Sequence, residues 1–298
     1  MIPERVRTWV TAHAVGEVSS LERLGGGLTD TIWGVRRRGA EPLVLRYVAI
    51  ATWGEAGRRH VECEALGCVL MLDSGLPTPR LIASDPDGSR TGAYANLSTW
   101  LPGSVRLGAP GPLEIDELAR VAAAIHARPV DPRRRPPAYV FWAPSDLHVP
   151  PWARRPDLWR RAIEIFADGP PPTPHGLVHR DFHPGNILWS GDRISGVIDW
   201  AETSWGPPDL DVAHAGTNFA ILHDLGTAAA FTQAYVRHGG VLERDPEAAR
   251  FWALSDILGF LPDPAPIVAA LISTRPELTA DVVRQRLEQL LGLTLGAD

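Results

Sequence analysis

The sequence contains no lysine. All 29 basic residues are arginine, set against 35 acidic ones, for a formal net charge of -6. Binding to a nucleic-acid backbone needs a basic stripe or patch, so nucleic acid is not expected as a partner. A nucleotide is not excluded, because its phosphates need only a few local donors. The missing lysine, beside 28 glycines and 28 prolines, reads as biased coding composition. It still means that any site needing a cation must use the planar guanidinium, which is not equivalent to an ammonium. Cysteine is nearly absent as well: Cys63 and Cys68 lie five apart in a helical pattern, with no histidines at ligand spacing. That argues against a structural zinc site and fits two buried thiols in a reducing compartment. No run reaches the roughly eighteen apolar residues that span a bilayer. The opening MIPERVRTWV carries charge, with no apolar run before a cleavage site. A soluble cytoplasmic protein without a membrane partner is expected.

The chain has 298 residues, 45% of them hydrophobic, enough for one large domain or two packed lobes. LERLGGGLTDTIWGVRRRG reads as a strand, a glycine turn and a returning strand, since Thr31, Trp33 and Val35 alternate. EPLVLRYVAI is a third strand. Over 56–73 the period changes, and Val61, Ala65, Leu66, Val69, Leu70 and Leu72 form a helical face that SGLPTP ends. Leu81–Ala83 and Ala93–Leu97 are short strands on either side of a DPDGS turn. After a break at Leu101–Gly103 the pattern turns helical, with Ile115, Leu118, Val121, Ala122 and Ile125 on one face. Residues 129–157 form a proline- and tryptophan-rich excursion whose aromatics point to an ordered insertion. Leu158–Phe166, 208–260 and 265–292 read as helical. The expectation is an α+β chain of two lobes, residues 1–100 mixed and 101–298 mainly helical.

The chemistry concentrates in HGLVHRDFHPGNILWSGDRISGVIDWAETSWGPPDLDVAHA, which begins at His175. It holds His179-x-Asp181, then Asn186, then a short strand pair (Ile194, Val197, Ile198) ending in Asp199. Transfer of a phosphoryl group to a hydroxyl needs the hydroxyl oriented and relieved of its proton, the triphosphate held in line, and the developing charge met by a cation. Asp181 can accept the hydroxyl's hydrogen bond. Asn186 and Asp199 offer the hard oxygen ligands that suit magnesium.

This segment resembles the catalytic region of the aminoglycoside phosphotransferase and choline kinase-like family, relatives of the protein kinases. The family pattern is H-x-D-x-H-x-x-N, a hairpin, then two hydrophobic residues and an aspartate. Here it reads His179, Asp181, His183, Asn186 and VIDW with Asp199. The resemblance implies a bilobal protein-kinase-like fold whose smaller lobe carries an antiparallel sheet. It implies Asp181 as catalytic base with His179 in the catalytic set, His183 as a brace of the loop, and Asn186 and Asp199 as holders of Mg2+. GPPDLDVA is similar to the family's G-D-P-x-x-D-L-A, which makes Asp211 the support of the loop and leaves Pro207 where an aspartate is usual. LGGGLTDT resembles the glycine-rich loop, with Gly25, Gly26 and Gly27 admitting phosphate to the backbone amides. Arg46 matches the third-strand position that kinases fill with lysine. Glu62, one turn from Leu66, is expected to pair with it, and Glu64 is the competitor. LSTWLPG resembles the hinge, where Ser98, Thr99, Trp100 and Leu101 would meet the nucleotide base. The likeness covers most of residues 20–215.

The implied function is a kinase moving the γ-phosphoryl group of ATP or GTP to a hydroxyl of a small molecule. Glu202, Asp209, Asp224 and Asp256, with Trp142, Trp152, Trp159, Trp205, Phe219 and Trp252, leave an aminoglycoside-like cationic acceptor open beside macrolides, amino alcohols and sugars. The same residues could equally be solvated surface and core. Arg46 and Pro207 motivate a catalytically silent nucleotide-binding homologue as the alternative. A helical interaction protein with a coincidental motif is a third class. No G-x-S-x-G elbow supports a hydrolase, and no A-P-E-like signal follows Asp199 as in protein kinases.

Overall fold

The computed structural model describes residues 2–25, 31–266 and 275–297. Its packing divides the chain into two compact units, Met1–Arg106 with Asn186–Thr203, and Leu107–Gly185 with Ser204–Asp298. The architecture is α+β and two-lobed, as expected. The hairpin 186–203, which the sequence pattern had grouped with the helical lobe, packs with the first unit.

The first unit contains α1 (Glu4–His13), β1 (Val18–Arg23), β2 (Thr31–Arg37), β3 (Ala40–Val48), α2 (Ile50–Leu70), β4 (Leu81–Asp85), β5 (Tyr94–Thr99) and β6 (Ser104–Val105). Strands β1 to β5 form an antiparallel sheet in the order β1-β2-β3-β5-β4. Alternation along β3 decides what each face meets. Leu43 and Leu45 turn towards α1, whose Val6, Trp9 and Val10 complete a buried cluster with Val35, Ala95 and Leu97. Val48 packs with Val61 of α2 and with Tyr94, and Arg46 shares that strand face. Helix α1 was not anticipated; its i, i+3, i+4 signal from Val6, Trp9 and Val10 is only three residues deep.

In the second unit lie α3 (Pro112–His126), α4 (Pro156–Ala167) and β7 (Gly176–Val178). Strands β8 (Ile187–Ser190) and β9 (Arg193–Val197) then return to the first unit, where they pair with β6 in the order β6-β8-β9. The second unit resumes with β10 (Ser204–Gly206), paired to β7, and continues through α5 (Asp209–Leu222), α6 (Leu225–Arg237), α7 (Pro246–Gly259) and α8 (Ala280–Leu295). Trp159, Leu254, Leu258, Leu287 and Leu291 belong to its main core. The excursion 129–157 is pinned at several points. The Trp205 amide donates to the Pro137 carbonyl at 2.8 Å, and Trp152 Nε1 donates to the Pro262 carbonyl at 2.7 Å. Arg154 N, Arg155 N and Trp159 Nε1 each donate to the buried Glu288 Oε1 at 3.0 Å. Among the described residues no helix is long and apolar enough to cross a membrane.

Gly67 lets α2 approach the turn that follows β9. A Cβ there would fall 2.9 Å from Trp200 Cβ and against Thr203 Oγ1. In an open helix Gly→Ala stabilises by about 1 kcal/mol. Here the overlap reverses the sign, and Gly67→Ala is expected to lose about 1–3 kcal/mol. A fall in Tm by scanning calorimetry is the expected result; an unchanged or higher Tm contradicts this packing.

Candidate active site

In the first unit Arg46 sits at the centre of a buried charge cluster. The side chain is almost fully buried, with Nε 2.9 Å from Glu64 Oε1 and one NH2 2.9 Å from Asp199 Oδ1. Asn96 Nδ2 donates to Glu64 Oε2 at 2.8 Å and to the Val61 carbonyl at 2.8 Å. Glu64, not Glu62, is therefore the partner of Arg46. Glu62 lies on the outer face of α2, where it pairs with Arg58 at 2.9 Å. The inward face runs Val61, Glu64, Cys68, at i, i+3 and i+7, and the half-buried Leu66 was a poor marker of it.

Asp199 follows β9 with a left-handed backbone (φ 63°), and the buried Trp200 opens the next 3-10 turn. The Ile198 amide donates to the Asn186 carbonyl at 3.0 Å, which sets Asn186 beside the residue that precedes Asp199. The Asp199 side chain is one-third exposed. An aspartate carboxylate and an asparagine amide oxygen at the ends of one hairpin are the kind of hard oxygen donors that a magnesium ion takes.

Of the glycine run only Gly25 is described, exposed just past the bond from the Leu24 amide to the Ile32 carbonyl; Gly26 and Gly27 lie outside the described residues. At the expected hinge, Ser98 and Thr99 are the last residues of β5. The Thr99 amide donates to the Arg80 carbonyl at 2.9 Å and the Trp100 amide to the Pro42 carbonyl at 3.4 Å. Those two amides are engaged in the sheet, and Leu101 follows beyond its edge.

The second unit holds the loop 179–185 by its backbone. Asp211 Oδ2 accepts from the His179 amide at 2.8 Å, and Oδ1 accepts from the Arg180 amide at 2.6 Å. His126 Nε2 approaches the same Oδ2 at 2.9 Å, and its Nδ1 lies 2.7 Å from the Tyr235 hydroxyl. Burial pushes the Asp211 carboxyl up, but the His126 bond and the loop amides outweigh it and hold the group below the usual range. Arg180, at φ 72°, lays its buried guanidinium 3.8 Å from the centre of the Trp142 ring, a cation–π contact shielded from water. His179 is fully buried, and its Nδ1 accepts from the Asp181 amide at 3.3 Å. Its position is that of a brace. His183 Nδ1 accepts from the Gly185 amide at 3.1 Å and shapes the end of the loop.

The Asp181 carboxylate, about 28% exposed, has Oδ1 3.2 Å from His214 Nε2 and 3.7 Å from His183 Nε2. The far side of the His214 ring, Nδ1, lies 3.0 Å from Oδ1 of the buried Asp256. Burial opposes ionisation of Asp181, but the imidazoles of His183, His214 and His179 prevail and pull it well below the carboxylate range. For His214, burial lowers the pKa while Asp256 and Asp181 raise it, to about 9. Its charged form contributes stability that is complete below its ordinary value of 6.5 and is lost as pH rises through about 9.

His126 and His214 were both missed. Neither stands in a pattern that marks it, and each acts through residues far away in the chain. Asp256, read as a candidate for attracting an acceptor, is buried against His214. Asp209 is buried and accepts from the Glu243 amide, Asp224 caps α6, and Glu202 pairs with His60 at 2.9 Å. Trp159, Phe219 and Trp252 are core.

Asp181, His183 and His214 bring one ligand atom each to within 4.8 Å of one another, a grouping that a divalent cation could bridge. Both His214 nitrogens also face carboxylate oxygens, which favours a proton on the ring and competes with a metal for its lone pairs.

A model of the phosphotransferase enzyme family matches residues 20–252, and the chain belongs to that family. Two curated relatives are homoserine kinases. The one from Parvibaculum lavamentivorans is 28% identical over 44% of this chain and 44% of its own length. The one from Methylobacterium sp. is 33% identical over 47% of this chain and 44% of its own. The chain thus spans less than half the length of the curated relatives it matches. Among solved structures, a spectinomycin phosphotransferase matches with TM-score 0.66 at 13% identity, over 99% of both chains. The macrolide 2'-phosphotransferase of Brachybacterium faecium matches with TM-score 0.61 at 19% identity, over 93% of this chain and 97% of that one. At such identities they show a shared fold.

Removing one partner of a buried ion pair typically costs about 3–5 kcal/mol, whereas exposed helix pairs matter by about 0.5 kcal/mol or less. Glu64→Ala is therefore expected to be destabilised by about 3 kcal/mol in urea unfolding and Glu62→Ala to be near neutral. The reverse order would restore Glu62 as the partner of Arg46.

Proposed function

We propose that the chain is an ATP- or GTP-dependent kinase for a small hydroxylated molecule. The observation that supports this most is the Asp181 carboxylate, kept ionised and partly open on a loop whose backbone is clamped by Asp211. In the reaction the acceptor oxygen bonds to the γ-phosphorus as the bond from that phosphorus to the β,γ-bridging oxygen breaks. The electron pair of that bond leaves with the nucleoside diphosphate. The hydroxyl proton passes to Asp181 and then to water. Phosphoryl transfer of this loose kind asks the protein mainly for positioning and charge, so no phospho-enzyme is required. Arg46 is read as the donor to the nucleotide phosphates, oriented by Glu64. Asn186 and Asp199 would hold magnesium, which when bound supplies positive charge to the phosphate oxygens. His183 and Asp211 fix the loop from which Asp181 works.

Among acceptor classes, amino alcohols come first, because the curated relatives are homoserine kinases. Aminoglycosides, macrolides and sugars follow.

The test is ADP and GDP release from magnesium–ATP and magnesium–GTP over L-homoserine, other amino alcohols, aminoglycosides, macrolides and sugars. Release stimulated by one class, and reduced about 100-fold or more in Asp181→Asn, is the expected result. Nucleotide binding with no stimulated release by any class would favour the silent homologue, and release that survives Asp181→Asn would remove the base.

A further inference from the structure

His214 is a buried imidazole that the transfer reaction itself does not use. It projects from α5 between two carboxylates, with Nε2 3.2 Å from Asp181 Oδ1 and Nδ1 3.0 Å from Asp256 Oδ1. Every element packed on it contributes to its setting. The loop brings His183, ring centre 5.6 Å away, together with Asp181 and the buried His179. Helix α7 brings Asp256, and α5 itself brings Asn218, whose Nδ2 donates to the His214 carbonyl at 2.9 Å and lies 3.2 Å from His214 Nε2, so that Nε2 is shared between this amide and Asp181. Trp142 meets the ring edge-on at 4.8 Å, and Phe260 stacks at 6.2 Å. Asp256 is itself 2% exposed, and its Oδ2 is buried without a hydrogen-bond partner among the described residues. A buried carboxylate so thinly satisfied is costly unless a full positive charge faces it.

We infer that His214, gripped by Asp256, is a positioning residue that fixes the rotation of the Asp181 carboxylate as a doubly hydrogen-bonded imidazolium. A carboxylate on a loop can otherwise turn about its terminal torsion, which is broad rather than staggered. Catalytic groups lose efficiency steeply when displaced from a productive geometry. With both nitrogens protonated His214 takes no proton from Asp181, so the proton released in transfer leaves to water and the grip persists through turnover. The cost of the arrangement is a weaker base, which a loose transition state tolerates because little proton transfer is needed before bond breaking. This inference rests on Asp181 being the group that receives the acceptor's hydroxyl.

The test uses the full chain, metal-free, by nitrogen-15 and carboxyl carbon-13 NMR, with His214→Gln serving to assign the ring. At pH 7.5 two N–H signals from His214 are expected, and they persist when magnesium chloride is added. In both His214→Gln and Asp256→Asn the Asp181 carboxyl should titrate at least one pH unit higher than in the parent. Asp256→Asn preserves the side-chain shape and provides the second variant should His214→Gln fold poorly by circular dichroism. A single N–H signal, loss of either on adding magnesium, or an Asp181 titration unmoved in the folded variants would overturn the inference. Failure of the proposed function looks different: no acceptor would stimulate nucleotide release, or release would survive in Asp181→Asn, with the His214 spectra of the parent as expected.

Discussion

A carboxylate removed from water must be met by donors or charge, and that requirement organises both units. Asp211 is the clearest case. Its two oxygens take the amides of His179 and Arg180 and face the His126 ring, so the loop bearing Asp181 has its backbone fixed to α5. Tyr235 of α6 then holds the other side of His126. Without those bonds, His179 and Arg180 would carry buried amides stripped of these acceptors. In the first unit Glu64 does comparable work for Arg46, and Asn96 saturates the remaining Glu64 oxygen.

The two units carry different groups. The first holds a buried guanidinium and the hairpin end bearing Asp199; the second holds a clamped loop bearing the Asp181 carboxylate. They are joined without a linker where Gly185 gives way to Asn186. That covalent adjacency explains why the motif is so compact in sequence although its residues belong to separate packing units. An arginine at position 46 fits the same logic, because a planar fork can serve Glu64 through Nε and Asp199 through a terminal nitrogen at once.

Much of this was legible in the sequence. The five strands of the main sheet, helix α2 and the hairpin ending at Asp199 follow from period and turn chemistry, and the motif from His179 to Asp211 marks the loop that Asp211 clamps. What escaped was whatever depends on a partner remote in sequence. The choice of Glu64 over Glu62 turns on which face of α2 meets β3, and neighbouring apolar residues on two faces blurred it. His126 and His214 acquire their roles only when α3 and α5 pack beside the loop. The hairpin 186–203 packs with the first unit through partners remote in sequence: β6, two residues long, pairs with β8, the Val197 amide donates to the Pro77 carbonyl, and α2 closes on Trp200 and Thr203 at Gly67.

The central claim is that a nucleoside triphosphate is held with magnesium by Asn186 and Asp199 while Asp181 acts only on the acceptor. Calorimetric titration with a non-hydrolysable ATP analogue tests it most directly. The account predicts binding that depends on magnesium, is lost in Asp199→Ala and is retained in Asp181→Asn. Binding that ignores magnesium, or that survives Asp199→Ala unchanged, would contradict it.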